Sequence, residues 1–148
     1  MYTIFIDIDG VLSSRRLWFQ EDKNVEYLSK ICRKLKACVV FTSEWRTDYS
    51  TIEKYRNPQI RELIEKFERN NIQVNGLISI IGNRFKEIEK YVNEHMISSY
   101  IILDEDTEKY NVDNIVKQSY FVNHAVGLTA VDVDKLTRSR KKNKIRAS

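Results

Sequence analysis

A chain of 148 residues, 42% hydrophobic and 31% charged, has the size and apolar content of one domain around one core, which excludes wholesale disorder and leaves little room for a second domain. No run approaches the roughly 18 apolar residues that span a bilayer, and the segment from Met1 to Ile6 lacks the basic start and small-residue cleavage site of a signal peptide, so a soluble, cytoplasmic protein is expected. The net charge of +4 is uneven: from Lys135 onward there are seven cations and no acid, leaving 18 cations against 21 acids in residues 1–134.

Tyr2 to Ile8 is a β-rich run that stops at Asp9-Gly10, as a buried strand stops at a turn. Asn24 can cap a helix on which Val25, Leu28, Ile31, Cys32 and Leu35 recur at the three-and-four spacing of one face. Ala37 to Phe41 is a second buried strand. Cys32 and Cys38, both in apolar contexts, read as buried free thiols. Asn57-Pro58 provides the cap and first turn of a helix carrying Ile60, Leu63, Ile64 and Phe67, which should stop near Asn70-Asn71. Ile72 to Ile81 holds a further strand, and Phe85, Ile88, Tyr91, Val92 and Met96 mark a third amphipathic helix.

Tyr100 to Leu103 is a strand that ends in Asp104-Glu105-Asp106, Ser119 to Val122 is a last short one, and Thr129 can cap a final helix through Leu136. Strands alternating with helices predict an α/β fold, a Rossmann-like three-layer sandwich with a mostly parallel sheet. One domain is expected over residues 1–137, followed by a basic tail over 138–148. Arg138 to Arg146 would attract polyanions through counterion release, nucleic acid first among them; the plainer reading is a frayed, solubilising terminus.

Ligands of open parallel sheets bind beyond the carboxyl ends of the strands, so polar residues that end apolar strands are the first candidates for chemistry. Strand one ends in Asp7-Ile8-Asp9-Gly10, the second in Phe41-Thr42-Ser43, and a later one in Leu103-Asp104-Glu105-Asp106. Carboxylates gathered on one rim repel one another, and a hard divalent cation with oxygen ligands, Mg²⁺ foremost, relieves that cost. Asp7 and Asp9, one residue apart in an extended segment, point to the same side. Such a pair can divide labour, one carboxylate attacking phosphorus while the other moves the proton.

These residues carry a resemblance. The segment from Ile4 to Leu12 is similar to the first motif of the haloacid dehalogenase (HAD) superfamily of phosphotransferases, Val39 to Ser43 to its second, and Ile101 to Glu105 to its fourth. The third, a cation on a helix before the last of these strands, is matched best by Lys86, with Arg84 and Lys90 competing. Ser43-Glu44-Trp45-Arg46 and Gly127-Leu128-Thr129 resemble a subgroup of small HAD domains that includes those of nucleic-acid repair proteins. The resemblance implies that Asp7 is the nucleophile, Asp9 the general acid and base, and Thr42, Ser43 and Lys86 the phosphate-binding groups. It also implies Mg²⁺ held by Asp7, the backbone carbonyl of Asp9, and Asp104, with Glu105 or Asp106 close by. Many members carry Asp-Asp where this chain has Asp104-Glu105, and the extra methylene alters the metal geometry.

Residues 11–39 must also contain a helix, and those between Ser43 and Lys86 a helix and a strand, so no large cap of the kind such enzymes use to select substrates fits. Trp18, within Leu17-Trp18-Phe19, can cover a nucleoside or stack a base, or simply fold its segment onto the body. Arg46 can reach a phosphate, although a salt bridge that pins its loop is the plainer role; Trp45 reads as packing. His95 and His124 have no partners spaced for zinc. The expected function is a Mg²⁺-dependent phosphatase acting on a nucleotide or nucleic-acid terminal phosphate. The rivals are a small-metabolite phosphatase and a catalytically silent HAD-fold module that binds nucleic acid. Oligomeric state is not legible.

Overall fold

The computed structural model of the chain describes residues 2–6, 22–42, 58–78, 84–104, 119–122 and 127–147. Among the described residues five strands, β1 (Tyr2–Ile6), β2 (Ala37–Phe41), β3 (Val74–Leu77), β4 (Tyr100–Asp104) and β5 (Ser119–Phe121), form one parallel sheet in the order β3-β2-β1-β4-β5. The described helices are α1 (Asp22–Leu35), α2 (Pro58–Arg69), α3 (Arg84–Glu94) and α4 (Ala130–Ala147). The chain steps outward from β1 through β2 to β3, then returns to the other side of β1 for β4. Because such crossovers are right-handed, this reversal moves the connecting helix to the opposite face.

Two cores record that change of face. Ile4 and Ile6 of β1, with Val39, Phe41, Ile101 and Leu103, pack against the apolar stripes of α1, α2 and α4. Phe5, pointing the other way as alternate strand residues must, joins Val40, Ile102 and Ile88 of α3 in the second core. The stripe expected on α1 is the buried one, but the helix starts at Asp22, where an acid suits the positive end of the helix dipole. Asn24 therefore sits inside the first turn, 2% exposed, rather than capping it. Cys32 and Cys38 are both buried and free, and burial pushes the Cys32 thiol up to about 12.

Helices α2 and α3 end alike. Asn71 and Met96 adopt left-handed φ values of 56° and 49°, and the residues after them, Ile72 and Ile97, donate their N–H groups to Phe67 O (2.9 Å) and Val92 O (3.0 Å). This is the Schellman closure, which satisfies carbonyls that a helix end would otherwise orphan. It also breaks the helical period at Met96, which is 90% exposed instead of continuing the stripe of Ile88 and Tyr91. Asparagine suits the left-handed position, whereas Met96 occupies it without a side chain that helps. The strand expected within Ile72 to Ile81 is confined to Val74–Leu77.

Helix α4 begins where Thr129 was expected to cap it. The Asp132 N–H donates to Thr129 Oγ1 (3.4 Å), and the Thr129 N–H donates back to Asp132 Oδ2 (2.9 Å), a reciprocal capping box. Tyr120 of β5 donates its hydroxyl to Asp132 Oδ1 (2.5 Å) and so ties the helix to the sheet. The helix runs on past Leu136 to Ala147, crossing the 137/138 boundary without a break. No Gly or Pro follows Leu136, and the Arg and Lys residues that do are good helix formers. Among the described residues no helix is long and apolar enough to cross a membrane.

Candidate active site

The carboxyl ends of the three central strands lie level. Ile6 pairs with Phe41 on one side and with Leu103 on the other, so β1, β2 and β4 reach the rim of the sheet on one rung. All three residues are buried. Beyond the rung, the Thr42 N–H donates to Ile6 O at 3.0 Å, which carries the β1–β2 ladder one residue past Phe41. Thr42 itself is 1% exposed, so its hydroxyl belongs to the protein interior at the rim. Asp104 is the last residue of β4, opposite Phe121 of β5. The β1/β4 boundary is where the strand order reverses, the place at which open α/β sheets bind their ligands.

The first turn of α3 follows β3 and, after Arg84, holds two charged residues in different surroundings. Lys86 is exposed, whereas Glu87 is 3% exposed, next to the fully buried Ile88. Helical spacing explains the difference: positions 84, 87, 88 and 91 share one side of the helix, and position 86 is off it. Lys90, one turn further on, is half exposed and pairs with Glu94 at 3.8 Å. Glu87 was not anticipated as a buried group. Its signal was present in the sequence as an acid at a position of the apolar stripe, where burial demands compensation.

Of the residues singled out from the sequence, Thr42 and Asp104 lie at this rim and Lys86 lies in the first turn of α3. Asp7, Asp9, Trp18, Ser43, Arg46, Glu105 and Asp106 lie outside the described residues, and Arg84 and Asp104 are described by their backbone. Chain order nonetheless sets Asp7 directly after Ile6, Ser43 after Thr42 and Glu105 after Asp104.

Residues 3–133 match the family described as the HAD domain in Swiss Army Knife RNA repair proteins. The chain belongs to this family. The parallel sheet in the order β3-β2-β1-β4-β5, with helices on both faces, is the α/β architecture that membership requires. No curated protein matches the chain. Membership in the HAD family supports a phosphatase-like function in general terms, and HAD domains generally use Mg²⁺. The donor chemistry here suits that ion: the strand-ending segments supply carboxylates and hydroxyls, the oxygen ligands a hard cation takes. Among the described residues no group of three or more His, Cys, Asp or Glu side chains gathers to hold a metal.

Proposed function

We propose that this HAD domain is a phosphatase that hydrolyses a phosphomonoester through an aspartyl-phosphate, with a nucleotide or nucleic-acid terminal phosphate as its substrate class. The observation that carries the reading is the common rung of Ile6, Phe41 and Leu103, after which the chain continues into Asp7, Thr42 and Asp104 respectively. In this reading an oxygen of Asp7 attacks phosphorus and the bond to the leaving oxygen breaks, while the Asp9 carboxyl gives that oxygen its proton. Water then attacks the phosphorus of the acyl phosphate, Asp9 takes the proton, and inorganic phosphate departs, leaving Asp7 as a carboxylate.

Thr42 and Ser43 hold the phosphoryl oxygens, and a cation at the start of α3 compensates their charge. Lys86 has that role on its motif position; the burial of Glu87 beside it, on the side of the helix shared with position 84, favours Arg84 as a second reading. Asp7, the Asp9 carbonyl and Asp104 would hold Mg²⁺, with Glu105 completing the set. The ion supplies charge compensation for the transferring phosphoryl group. The RNA-repair setting of the family supports nucleic acid as the substrate class, and so does the run of cations in 138–146. The two free, buried thiols support work in the cytoplasm.

The test is phosphate release from a chromogenic phosphomonoester and from 3′- and 5′-phosphorylated oligonucleotides, with Mg²⁺ or chelator, for wild type and Asp7→Asn. Metal-dependent turnover that Asp7→Asn abolishes is the expected result, and Lys86→Met against Arg84→Met then identifies the phosphate-binding cation. Turnover unaffected by Asp7→Asn overturns the mechanism. Absence of turnover on every substrate, with nucleic-acid binding intact, leaves the silent module instead.

A further inference from the structure

We propose that a nucleic-acid strand is held at the amino end of the sheet, opposite the catalytic rim, on a basic surface built jointly by the end of α1 and the extension of α4. The inference rests on the preceding reading for the class of its ligand, but not for its location.

Helices α1 and α2 both run back from the rim, since Leu35 leads through Lys36 into β2 and Asn71 leads through Ile72 and Gln73 into β3. Between their ends lies a cavity of about 360 Å³ whose lining includes Ser29, Cys32, Arg33, Lys36, Asn70 and Gln73. Arg33 and Lys36 are exposed, as are Lys30 and Lys34, and no acid interrupts the stretch from Ser29 to Ala37. Ser29 Oγ, midway along α1, donates to Asn70 O at 2.7 Å, which fixes α1 against the end of α2. Two cations in the last turn of α1 would already balance its dipole. Lys36 lies beyond that turn, with a left-handed φ of 52°.

Helix α4 packs against α1. Its first turn is tied to Tyr120, near the carboxyl end of β5, and its next turns bury Val133, Leu136 and Thr137. It therefore runs back along the sheet, and residues 138–147 carry it about 15 Å further at 1.5 Å per residue. On the helix register, positions 140 and 144 continue the buried line of 133, 136 and 137, but they are Arg140 and Lys144. Six positions on this stretch of α4 hold cations, Arg138, Arg140, Lys141, Lys142, Lys144 and Arg146, and its backbone runs toward the same end of the sheet as the α1 cluster. One of them, Arg138, meets Asp134 at 3.2 Å in an exposed pair worth little against a phosphate.

The sheet separates this surface from the rim by about 17 Å, the length of a five-residue strand. At about 3.4 Å per stacked nucleotide, some five nucleotides are needed to pass from one to the other. The surface thus anchors a strand whose end is processed at the rim, and it favours long substrates over short ones.

The probe is a labelled single-stranded 20-nucleotide RNA bearing a 3′-phosphate, titrated by fluorescence anisotropy between 50 and 200 mM salt. Arg33→Gln with Lys36→Gln, and separately Lys141→Gln with Lys142→Gln, should each weaken binding at least threefold. Each pair should also flatten the slope of log K against log salt by about 1.4, the value for two single-strand phosphate contacts. Hydrolysis of a chromogenic phosphomonoester and of a phosphorylated trinucleotide should stay unchanged in both. Wild type that binds no RNA at 50 mM salt, or an α1 pair that binds like wild type, overturns the proposal. RNA binding with these losses but no phosphatase turnover refutes the catalytic reading alone, and turnover without RNA binding refutes this one alone.

Discussion

Replacing Asp132 with alanine should destabilise the fold by about 2 to 3 kcal/mol, because one carboxylate serves both the start of α4 and its tie to the sheet. Its Oδ2 accepts from the Thr129 N–H (2.9 Å) and the Thr129 hydroxyl (3.0 Å), and its Oδ1 accepts from the Tyr120 hydroxyl (2.5 Å). Loss of the capping box costs about 1 kcal/mol. An acid missing from the first helical turn adds about 0.5 kcal/mol. The half-buried Tyr120 hydroxyl, deprived of an ionised acceptor, adds about 1 kcal/mol after water replaces part of the bond. For a chain of this size the melting temperature should fall by about 5 to 10 °C. Urea titrations of wild type, Asp132→Ala, Tyr120→Phe and the double variant read both the loss and the coupling, expected near 1 kcal/mol. A loss under about 0.5 kcal/mol, or strict additivity of the two substitutions, would refute the claim that this carboxylate anchors α4.

Tyr120 also predicts an alkaline limit. Burial first, then the hydrogen bond to Asp132 and the charge of Asp132, hold its phenol above the ordinary value of 10, so the folded state keeps a proton that the unfolded chain releases. Stability from this group is whole below pH 10 and declines as pH rises above it; urea midpoints measured from pH 9 to 11 should fall less steeply in Tyr120→Phe than in wild type. Gly76→Ala would bring a methyl to 3.1 Å from the Tyr91 hydroxyl, and Tyr91 is fixed edge-on to Phe5 and stacked on His95. A loss of about 1 kcal/mol is expected, and Tyr91→Phe in the same chain should recover most of it in a denaturation titration. Cys32 and Cys38 should resist iodoacetamide at pH 8 in the folded protein and both react in urea, as mass spectrometry would count; labelling of either in the folded state contradicts their burial.

The centre of the sheet was legible because β1, β2 and β4 are short, mostly apolar runs, and Ala37 to Phe41 matches β2 residue for residue. The stripes of α1 and α2 were legible for the same reason, since helical spacing is a local property. Helix ends were less so. Met96 looks like a continuation of the Ile88 stripe, and only the closure through Ile97 and Val92 ends that helix first. The length of α4 escaped because its last turns have no apolar spacing to read. At the site, the rung of Ile6, Phe41 and Leu103 brings together segments that the sequence marks only as strand ends, with the register supplied by pairing. Glu87 escaped because an acid beside Lys86 looks like an ordinary solvated charge until the helix face is known.

The arrangement of strands has a consequence for biosynthesis. β1 finds one neighbour in β2, where Thr3 pairs with Cys38, but its other edge stays open until Thr3 can pair with Tyr100. Until β4 is made, then, a largely apolar central strand has an exposed edge, the condition that invites misassembly and chaperone attention. The β1–β4 seam, which forms only once β4 is made, is also the one that borders the candidate site. A chain stalled before β4 can carry every residue of the first two motifs and still lack the third strand of the rung that Ile6, Phe41 and Leu103 form, so under the proposed function activity would appear only late in synthesis.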